Sequence, residues 1–277
     1  MEGFAPWSQF KRGLSGSLIY WWCTPGRQRF HKRRRATYLL IVPVALIALL
    51  RQAAPAQQTI FDVPSDGITP AGRLFVQNEG QFRPWAPGAF YLGTQYQALG
   101  IGYNTEIDMT LFNITAPKSG TLTLGVGAKS AIPLFRERFK ARDLKLVVGE
   151  LVPIALDRFQ GVGGVGNWSY ASVSGRLPWS NTRWQGGVST GTRQIFGRTN
   201  VCFIGGWEQP VTKRLSLIGD WFSGRHSLGL LIPGFSFAFP RDYTLYCGFQ
   251  IPNFPENGRT GFVVEIAKVL PIRGKSK

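Results

Sequence analysis

A serine, a histidine and an aspartate lie near one another in the carboxyl-terminal third of the chain. In the segment 220–227 (DWFSGRHS), Asp220 precedes His226 by six residues and Ser227 follows His226 directly. These are the residue types of a nucleophilic hydrolase. On one extended segment, however, Asp220 and His226 are too far apart to share a hydrogen bond unless the loop folds back. We favour the alternative that this segment is a surface loop at the rim of the fold, with one titratable histidine.

The other candidate sites are weaker. The run 161–166 (GVGGVG) is similar in composition to a phosphate-binding loop, but neither a Lys-Ser/Thr pair nor a helix follows it, which favours a flexible loop. Cys23 lies in the amino-terminal leader. Cys202 and Cys247 lie on opposite faces of strand patterns, which favours two unpaired thiols over a disulfide. With two histidines in the chain and no CxxC spacing, we expect no metal site and no cofactor.

Charged residues recur on the polar side of segments in which apolar and polar residues alternate. If that side faces a barrel lumen, the lumen-lining charges are Glu106, Asp108, Lys129, Arg176, Arg183, Glu208, Asp220 and Glu265. Opposed acids and bases would create a transverse field that orients solutes and sets ion selectivity. Alternatively, they pair in salt bridges that plug a narrow barrel. Both hypotheses stay open at the level of the sequence.

The elements that must position these residues are strands. In the segment TLYCGFQI (244–251), apolar side chains at odd positions oppose Thr, Tyr, Gly and Gln at even positions. Such alternation recurs along most of the chain and predicts half-buried strands. We predict twelve, with an uncertainty of two, over residues 73–80, 90–103, 106–114, 120–131, 143–156, 167–177, 183–191, 200–210, 214–224, 228–239, 243–252 and 260–270.

The breaks between these segments alternate in length. Short turns at 104–105, 179–182, 212–214 and 240–242 alternate with longer loops at 157–167, 193–200, 224–227 and 252–259. This pattern predicts an up-and-down antiparallel meander whose two ends face different compartments. One exception is the basic stretch 133–143, where the alternation expects a short turn; the basic cluster 136–145 is a candidate contact for lipid phosphates or a periplasmic partner.

Composition narrows the fold class to all-β. Charged residues make up 17% of the chain, below the roughly one quarter of an average soluble domain, and glycine reaches 34 of 277 residues. The aromatic content of 13% excludes a disordered polyelectrolyte, and abundant Gly, Trp, Thr and Pro disfavour a helical bundle. After residue 57 there are no apolar runs of about 20 residues, which excludes a polytopic helical membrane protein.

The amino-terminal 56 residues have the pattern of an export signal. A basic region at 31–35 precedes an apolar run at 36–50, and Ala54 and Ala56 form the small-x-small pattern that predicts cleavage before Gln57. An uncleaved anchor helix is the alternative, because 35 residues precede the apolar run. We therefore predict a leader at 1–56, a periplasmic segment at 57–72, a barrel at 73–270 and a tail at 271–277.

The leader also changes the interpretation of the net charge of +17. Residues 1–56 hold nine of the 32 Lys and Arg residues and one of the 15 acidic residues. Nearly half of the excess positive charge therefore lies in the leader and is absent from the predicted mature chain. Nucleic acid is not an expected partner.

The distribution of polar groups favours a membrane barrel over a soluble one. The chain has too few charged residues to cover twelve outward faces, whereas Thr, Gly, Gln and Ser suit a hydrated lumen and the aliphatic face suits lipid. Aromatic residues near strand ends are expected to form interfacial girdles. They are Tyr91, Tyr103, Trp168, Trp179, Trp184, Trp207, Trp221 and Tyr243. Aromatic packing in a soluble β core is the alternative, but it leaves the scarcity of surface charge unexplained.

The chain resembles Gram-negative outer-membrane β-barrel proteins of the porin or small-transporter type. The resemblance is carried by the leader ending Ala54-Pro55-Ala56 and by hairpins from GTQYQALGIGYNTEIDMTLFNI (93–114) to GRTGFVVEIAKVL (258–270). It implies an outer-membrane channel or transporter for small solutes, with lipid and the outer-membrane assembly machinery as partners and no enzymatic activity. Homo-oligomerisation is left open. The chain departs from the family in ending at 271–277 without a terminal aromatic residue.

Two further functions remain as alternatives. One is a structural or adhesive outer-membrane barrel with a plugged lumen, acting through its loops. The other is a membrane-embedded hydrolase that uses Asp220 and His226.

Overall fold

The segments of alternating apolar and polar residues form antiparallel strands, and the sheet of these strands closes into a barrel. The computed structural model describes residues 59–85, 91–134, 143–159, 161, 163–197 and 199–272. Each of twelve strands pairs with the next in sequence, and the first pairs with the last in register from Arg73 opposite Pro271 to Phe82 opposite Phe262. The prediction of an all-β, up-and-down barrel of about twelve strands is confirmed.

The strands are nine to twelve residues long in most cases, the length needed to cross a membrane at a tilt. Their bounds are β1 Arg73–Phe82, β2 Tyr91–Gly102, β3 Thr105–Ala116, β4 Thr123–Pro133, β5 Lys145–Ala155, β6 Trp168–Arg176, β7 Arg183–Gly191, β8 Val201–Pro210, β9 Leu215–Phe222, β10 Leu230–Phe239, β11 Tyr243–Pro252 and β12 Gly261–Pro271. A one-turn helix, α1 (Arg193–Phe196), follows β7, and a 3₁₀ turn (Pro255–Asn257) follows β11.

The two ends of the barrel differ in how strands are joined. At the short-turn end, where β1 begins and β12 finishes, Tyr103 and Asn104 have φ values of 53° and 55°. Arg241 and Asp242, between β10 and β11, also have positive φ, at 67° and 61°. Positive φ at both central residues is the geometry of tight hairpin turns whose twist matches the strands. The opposite end, the long-loop end, contains α1 and the 3₁₀ turn.

The connection between β4 and β5 is longer than the other turns of the short-turn end. Pro133 ends β4 and Lys145 begins β5. Residues 135–142, with most of the predicted basic cluster, lie outside the described residues.

Strand alternation gives the barrel two chemically different faces. The outward face is aliphatic and aromatic, with Phe203 66% and Ile266 53% exposed. The inward face carries Glu, Asp, Gln, Ser and Thr together with two apolar clusters. Cys202 is buried on the inward side of β8, Cys247 lies on the outward side of β11, and neither forms a disulfide. Among the described residues there is no helix of the length and hydropathy needed to span a bilayer.

Candidate functional site

Residues 59–71, which we call the lumenal segment, lead from inside the barrel to its short-turn mouth, with residues 59–69 buried or half-buried and Pro70 and Ala71 exposed. The segment joins β1 at the short-turn end, where Gly72 N donates to Gly100 O at 3.0 Å. Gly100 makes this route possible, since a Cβ atom there would lie 2.2 Å from the carbonyl oxygen of Thr69. At its other end the segment folds into a turn in which Ile60 N donates to Val63 O at 3.0 Å.

The apolar tip of the lumenal segment packs against glycines on the inward face of β8, β10 and β11. A Cβ atom at Gly206 would lie 2.2 Å from Ile60 Cδ1. Cβ atoms at Gly234 and Gly248 would lie 2.7 and 2.6 Å from Phe61 Cζ. Ile60 and Phe61 are 1% and 2% exposed. These glycines therefore leave the space that the two side chains fill.

A carboxylate on β9 fixes the same turn. Asp220 Oδ2 accepts hydrogen bonds from Phe61 N at 2.9 Å and Val63 N at 2.8 Å. On β7, Gln185 Nε2 donates to Pro64 O at 2.6 Å. These bonds satisfy backbone groups that a turn inside the lumen would otherwise leave unpaired.

Ion pairs fix the middle of the segment. Asp66 contacts Arg183 at 3.2 Å and Lys145 at 3.0 Å, and Arg183 also pairs with Glu208 at 2.9 Å. Burial of Asp66 acts to raise its pKa, but Arg183 and Lys145 outweigh this and hold the pKa below its ordinary value of 3.8. The carboxylate is therefore charged at neutral pH.

A second buried ion pair meets the segment where it approaches β1. Glu106 accepts a hydrogen bond from Thr69 N at 2.6 Å and pairs with Lys129 at 2.7 Å. Lys129 and Glu106 are 1% and 0% exposed. A buried pair of this kind is costly to break, because one charge would remain uncompensated.

Two cavities border the segment, and a third adjoins one of them. At the long-loop end a cavity of about 220 Å³ is lined by Thr59, Asp62 and Pro64 and by Glu79 and Asp108 of the wall. An adjoining cavity of about 390 Å³ lies under the long loops and shares Phe112 and Trp168 with the first. At the short-turn end a cavity of about 260 Å³ is lined by Asp66, Asn104, Lys145, Arg176 and Arg183. Residues 64–66 therefore lie between the cavities of the two ends.

The eight charged residues predicted to line the lumen fall into three groups. Glu106, Lys129, Arg183 and Glu208 form the ion pairs described above. Asp108, Asp220 and Glu265 are buried on inward strand positions without an ion pair among the described residues. Arg176 lies at the short-turn mouth, 3.7 Å from Asp143. Within the described part of the chain, the wall thus combines ion-paired charges with acids that form no ion pair.

The predicted aromatic residues do not all lie on the outer surface. Tyr103, Trp179, Trp184, Trp207 and Tyr243 lie towards the short-turn end, and Tyr91 and Trp221 towards the long-loop end. Trp168 differs, because the alternation of β6 turns it inward with Tyr170. There its Nε1 donates to Ser189 Oγ at 2.7 Å and its ring packs edge-on against Phe196 and Phe222. The position of Trp168 at the end of β6 suggested a place in an aromatic girdle, but the alternation of side chains along the strand turns it into the lumen.

The candidate hydrolase residues are not assembled. Asp220 binds the lumenal segment rather than His226. The His226 ring lies edge-on to Phe196, with centroids 5.0 Å apart, and burial lowers its pKa below the ordinary 6.5. Ser227 lines both cavities at the long-loop end.

Sequence reasoning missed the lumenal segment, having expected residues 57–72 in the periplasm. Two signals were present. Inward positions of β8, β10 and β11 carry glycine, and Ile218 interrupts the polar face of β9. Ile218 is fully buried in the cluster that contains Ile60 and Phe61, which explains an apolar residue on a polar face. Ala54 and Ala56, the predicted cleavage site, lie outside the described residues.

Comparison with solved structures finds similar barrels at very low sequence identity. The KdgM porin in complex with disordered oligogalacturonate is 7% identical, with a TM-score of 0.49 over 71% of this chain and 98% of that one. The outer membrane protein Omp33 of Acinetobacter baumannii is 8% identical, with a TM-score of 0.44 over 72% and 98%. An outer membrane channel from Pseudomonas putida F1 is 10% identical, with a TM-score of 0.41 over 73% and 96%. No protein-family model and no curated protein matches the chain.

Proposed function

We propose that this protein is an outer-membrane channel for small polar solutes whose lumen is narrowed by its own lumenal segment. The observation that carries the proposal is the reversal of polarity across one closed wall. Exposed aliphatic and aromatic side chains cover the outside, and a cavity whose lining includes Gln, Glu, Asp and Thr lies inside. A closed barrel satisfies all strand hydrogen bonds and can therefore present such a wall to lipid.

The membrane location is supported by the outer face itself. Side chains such as Phe203, Phe235 and Ile266 are 40–66% exposed. Soluble monomers rarely expose apolar surface continuously around a whole wall. Trp and Tyr near both ends of the strands would lie at the level of the lipid head groups.

The export signal fits the same arrangement. Cleavage before Gln57 would leave two residues ahead of Thr59, which lines the cavity at the long-loop end. A retained leader would require a further length of chain to enter or pass the same narrow lumen. The lumenal position of Thr59 therefore supports removal of residues 1–56 over an uncleaved anchor.

The solute path that the geometry favours runs along β1–β4. Gln77, Glu79 and Gln81 of β1 face the cavity with Thr94 of β2 and Thr110 of β3. Its volume of about 220 Å³ lies below the roughly 300–1,000 Å³ of pockets for drug-sized ligands, so the path suits ions and very small solutes. The mechanism is passive passage, and no covalent step is required of any residue.

Single-channel recording in planar bilayers tests the proposal. We expect small, discrete conductance steps for the full mature chain and larger steps after deletion of residues 59–66. Folding of both proteins is checked by heat-modifiable migration on a denaturing gel. A folded native barrel with no conductance, and no solute uptake in liposomes, would contradict the proposal.

The lumenal segment also favours a second candidate, a barrel that is closed at rest. It predicts conductance for the deletion variant and none for the native chain. The hydrolase alternative has no support from the geometry, because Asp220 is occupied by the segment.

A further inference from the structure

Three amide side chains lie together on the outward face of β1 and β2. Asn78 of β1 is exposed and lies opposite Gln95 of β2, and Gln97 lies two residues further along β2, opposite Val76. The lumen is faced by Gln77 and Glu79 of β1 and by Thr94 and Tyr96 of β2. Because side chains alternate along a strand, the three amides face outward. We call them the amide patch. All three are near the middle of their strands, where the surrounding surface is apolar.

The amide patch has no hydrogen-bond partners within the described part of the chain. Other outward polar side chains do: Glu150 binds Asn167 and Ser169, and Lys268 Nζ lies 3.0 Å from the Tyr243 hydroxyl. Near the middle of a bilayer, lipid chains offer neither donors nor acceptors, so an unpaired amide is costly there. Polar side chains facing lipid at this depth are expected to pair with another protein surface.

We propose that the amide patch is the centre of an interface with a second copy of this chain. Both copies insert into the membrane in the same orientation, so the axis of a symmetric dimer runs along the membrane normal. Rotation about that axis keeps every side chain at its own depth, and the patch of one copy faces the same patch of its partner. This is the isologous contact of a two-fold dimer.

The chemistry of the patch suits a copy of itself. Each amide has both a donor group and an acceptor oxygen, so Asn and Gln pair with identical side chains without any charge to compensate. The flanking outward residues, Met109 and Leu111 of β3 and Ile266 of β12, are apolar and would pack around the amide pairs. The polar centre with an apolar border therefore matches itself, whereas a lipid chain leaves every amide unpaired.

The inference rests on the proposed membrane location but not on solute passage. The test replaces the patch with leucine in the triple variant N78L/Q95L/Q97L, which makes the outward face uniformly apolar and leaves the lumen unchanged. The matched control is V188L on β7, an exposed apolar position on the outward face. Dimerisation is measured by analytical ultracentrifugation in detergent and by bismaleimide crosslinking in membranes, through Q95C or V188C in a background lacking Cys202 and Cys247.

We expect the native chain and V188L to form dimers, and the triple variant to dimerise about tenfold or more weakly, because buried amide pairs stabilise membrane interfaces. Crosslinked dimers should form through Q95C and not through V188C. A native chain that stays monomeric by both methods overturns the proposal, as does crosslinking of Q95C to a different protein alone. Heat-modifiable migration and membrane fractionation of the same samples test the membrane barrel separately.

Discussion

Two walls of the same lumen are built differently. The covered wall, formed by β8–β11, presents Gly206, Gly234 and Gly248 to the lumenal segment. The free wall, formed by the residues of β1–β4 that line the cavity at the long-loop end, presents polar side chains such as Gln77 and Asp108. The covered wall leaves space for the lumenal segment, and the free wall lines the cavity with polar side chains.

The inward face of this barrel has two tasks, and the size of the inward residue separates them. Where the inward residue is glycine, a neighbouring chain fits against the strand backbone. Where it is a Gln, Glu, Asp or Thr, the side chain keeps the lumen hydrated. Asp220 belongs to the covered wall although it is an acidic residue, because its Oδ2 atom accepts two hydrogen bonds from the segment.

The largest effect is expected from Asp220→Ala. It leaves the N–H groups of Phe61 and Val63 without an acceptor, at a cost of about 1–3 kcal/mol for each. Docking of the lumenal segment should weaken accordingly, and hydrogen exchange of residues 60–66 should accelerate. The matched change Asp108→Ala on the free wall should leave that exchange unchanged. Equal acceleration in both variants would remove the distinction between the walls.

A bulky residue at Gly206 should displace the tip of the segment. In Gly206→Phe the added side chain meets Ile60 Cδ1 before any wall atom, and overpacking of this kind costs about 1–3 kcal/mol. Channel conductance should rise, since the displaced tip no longer fills the covered half. Gly186→Phe is the control, because a Cβ there has nothing within 4 Å. A docked segment and unchanged conductance in Gly206→Phe would refute the role assigned to this glycine.

Acid should release the middle of the segment. The pKa of Asp66 is held below its ordinary 3.8, so its ion pairs add stability at pH values above 3.8 and lose it as the pH falls through the native pKa. Hydrogen exchange of residues 65–68 should stay constant from pH 7 to 5, once corrected for intrinsic rates, and increase in stronger acid. Asp66→Asn should exchange faster at neutral pH and lose this acid response. A response already complete at pH 5 would contradict the assignment to Asp66.

The smallest effect is expected outside the lumen. Lys118 contacts Asp157 at 2.5 Å in the long loops, where the hydrogen bond from Lys118 lowers the pKa of Asp157. Exposed pairs contribute little to stability. Lys118→Ala should therefore leave the temperature of the heat-modifiable gel shift and the conductance unchanged. A large loss in either would show that this loop supports the free wall.

Much of the barrel follows from local pattern. The alternation in β3 assigns Glu106 and Asp108 inward and Met109 outward, and the turn at Tyr103–Asn104 lies one residue before the short break predicted at 104–105. The candidate site could be predicted from the sequence only in part. The pairing of Lys129 with Glu106 depends on the register of β3 and β4, which a sequence pattern leaves undefined.

The amino-acid sequence alone determined which side chains face each side of the wall, because a strand has a period of two and the two faces differ in polarity. It also predicted the number of strands to within two and the alternation of short turns and long loops. The location of residues 59–71 was decided only by the tertiary structure. Phe61 and Val63 meet Asp220 across separations of 159 and 157 residues, and local propensity carries no information about contacts of that range. Trp168 differs from this segment, because its strand-end position suits a girdle but its alternation with Tyr170 in β6, which the sequence already contains, places it inside.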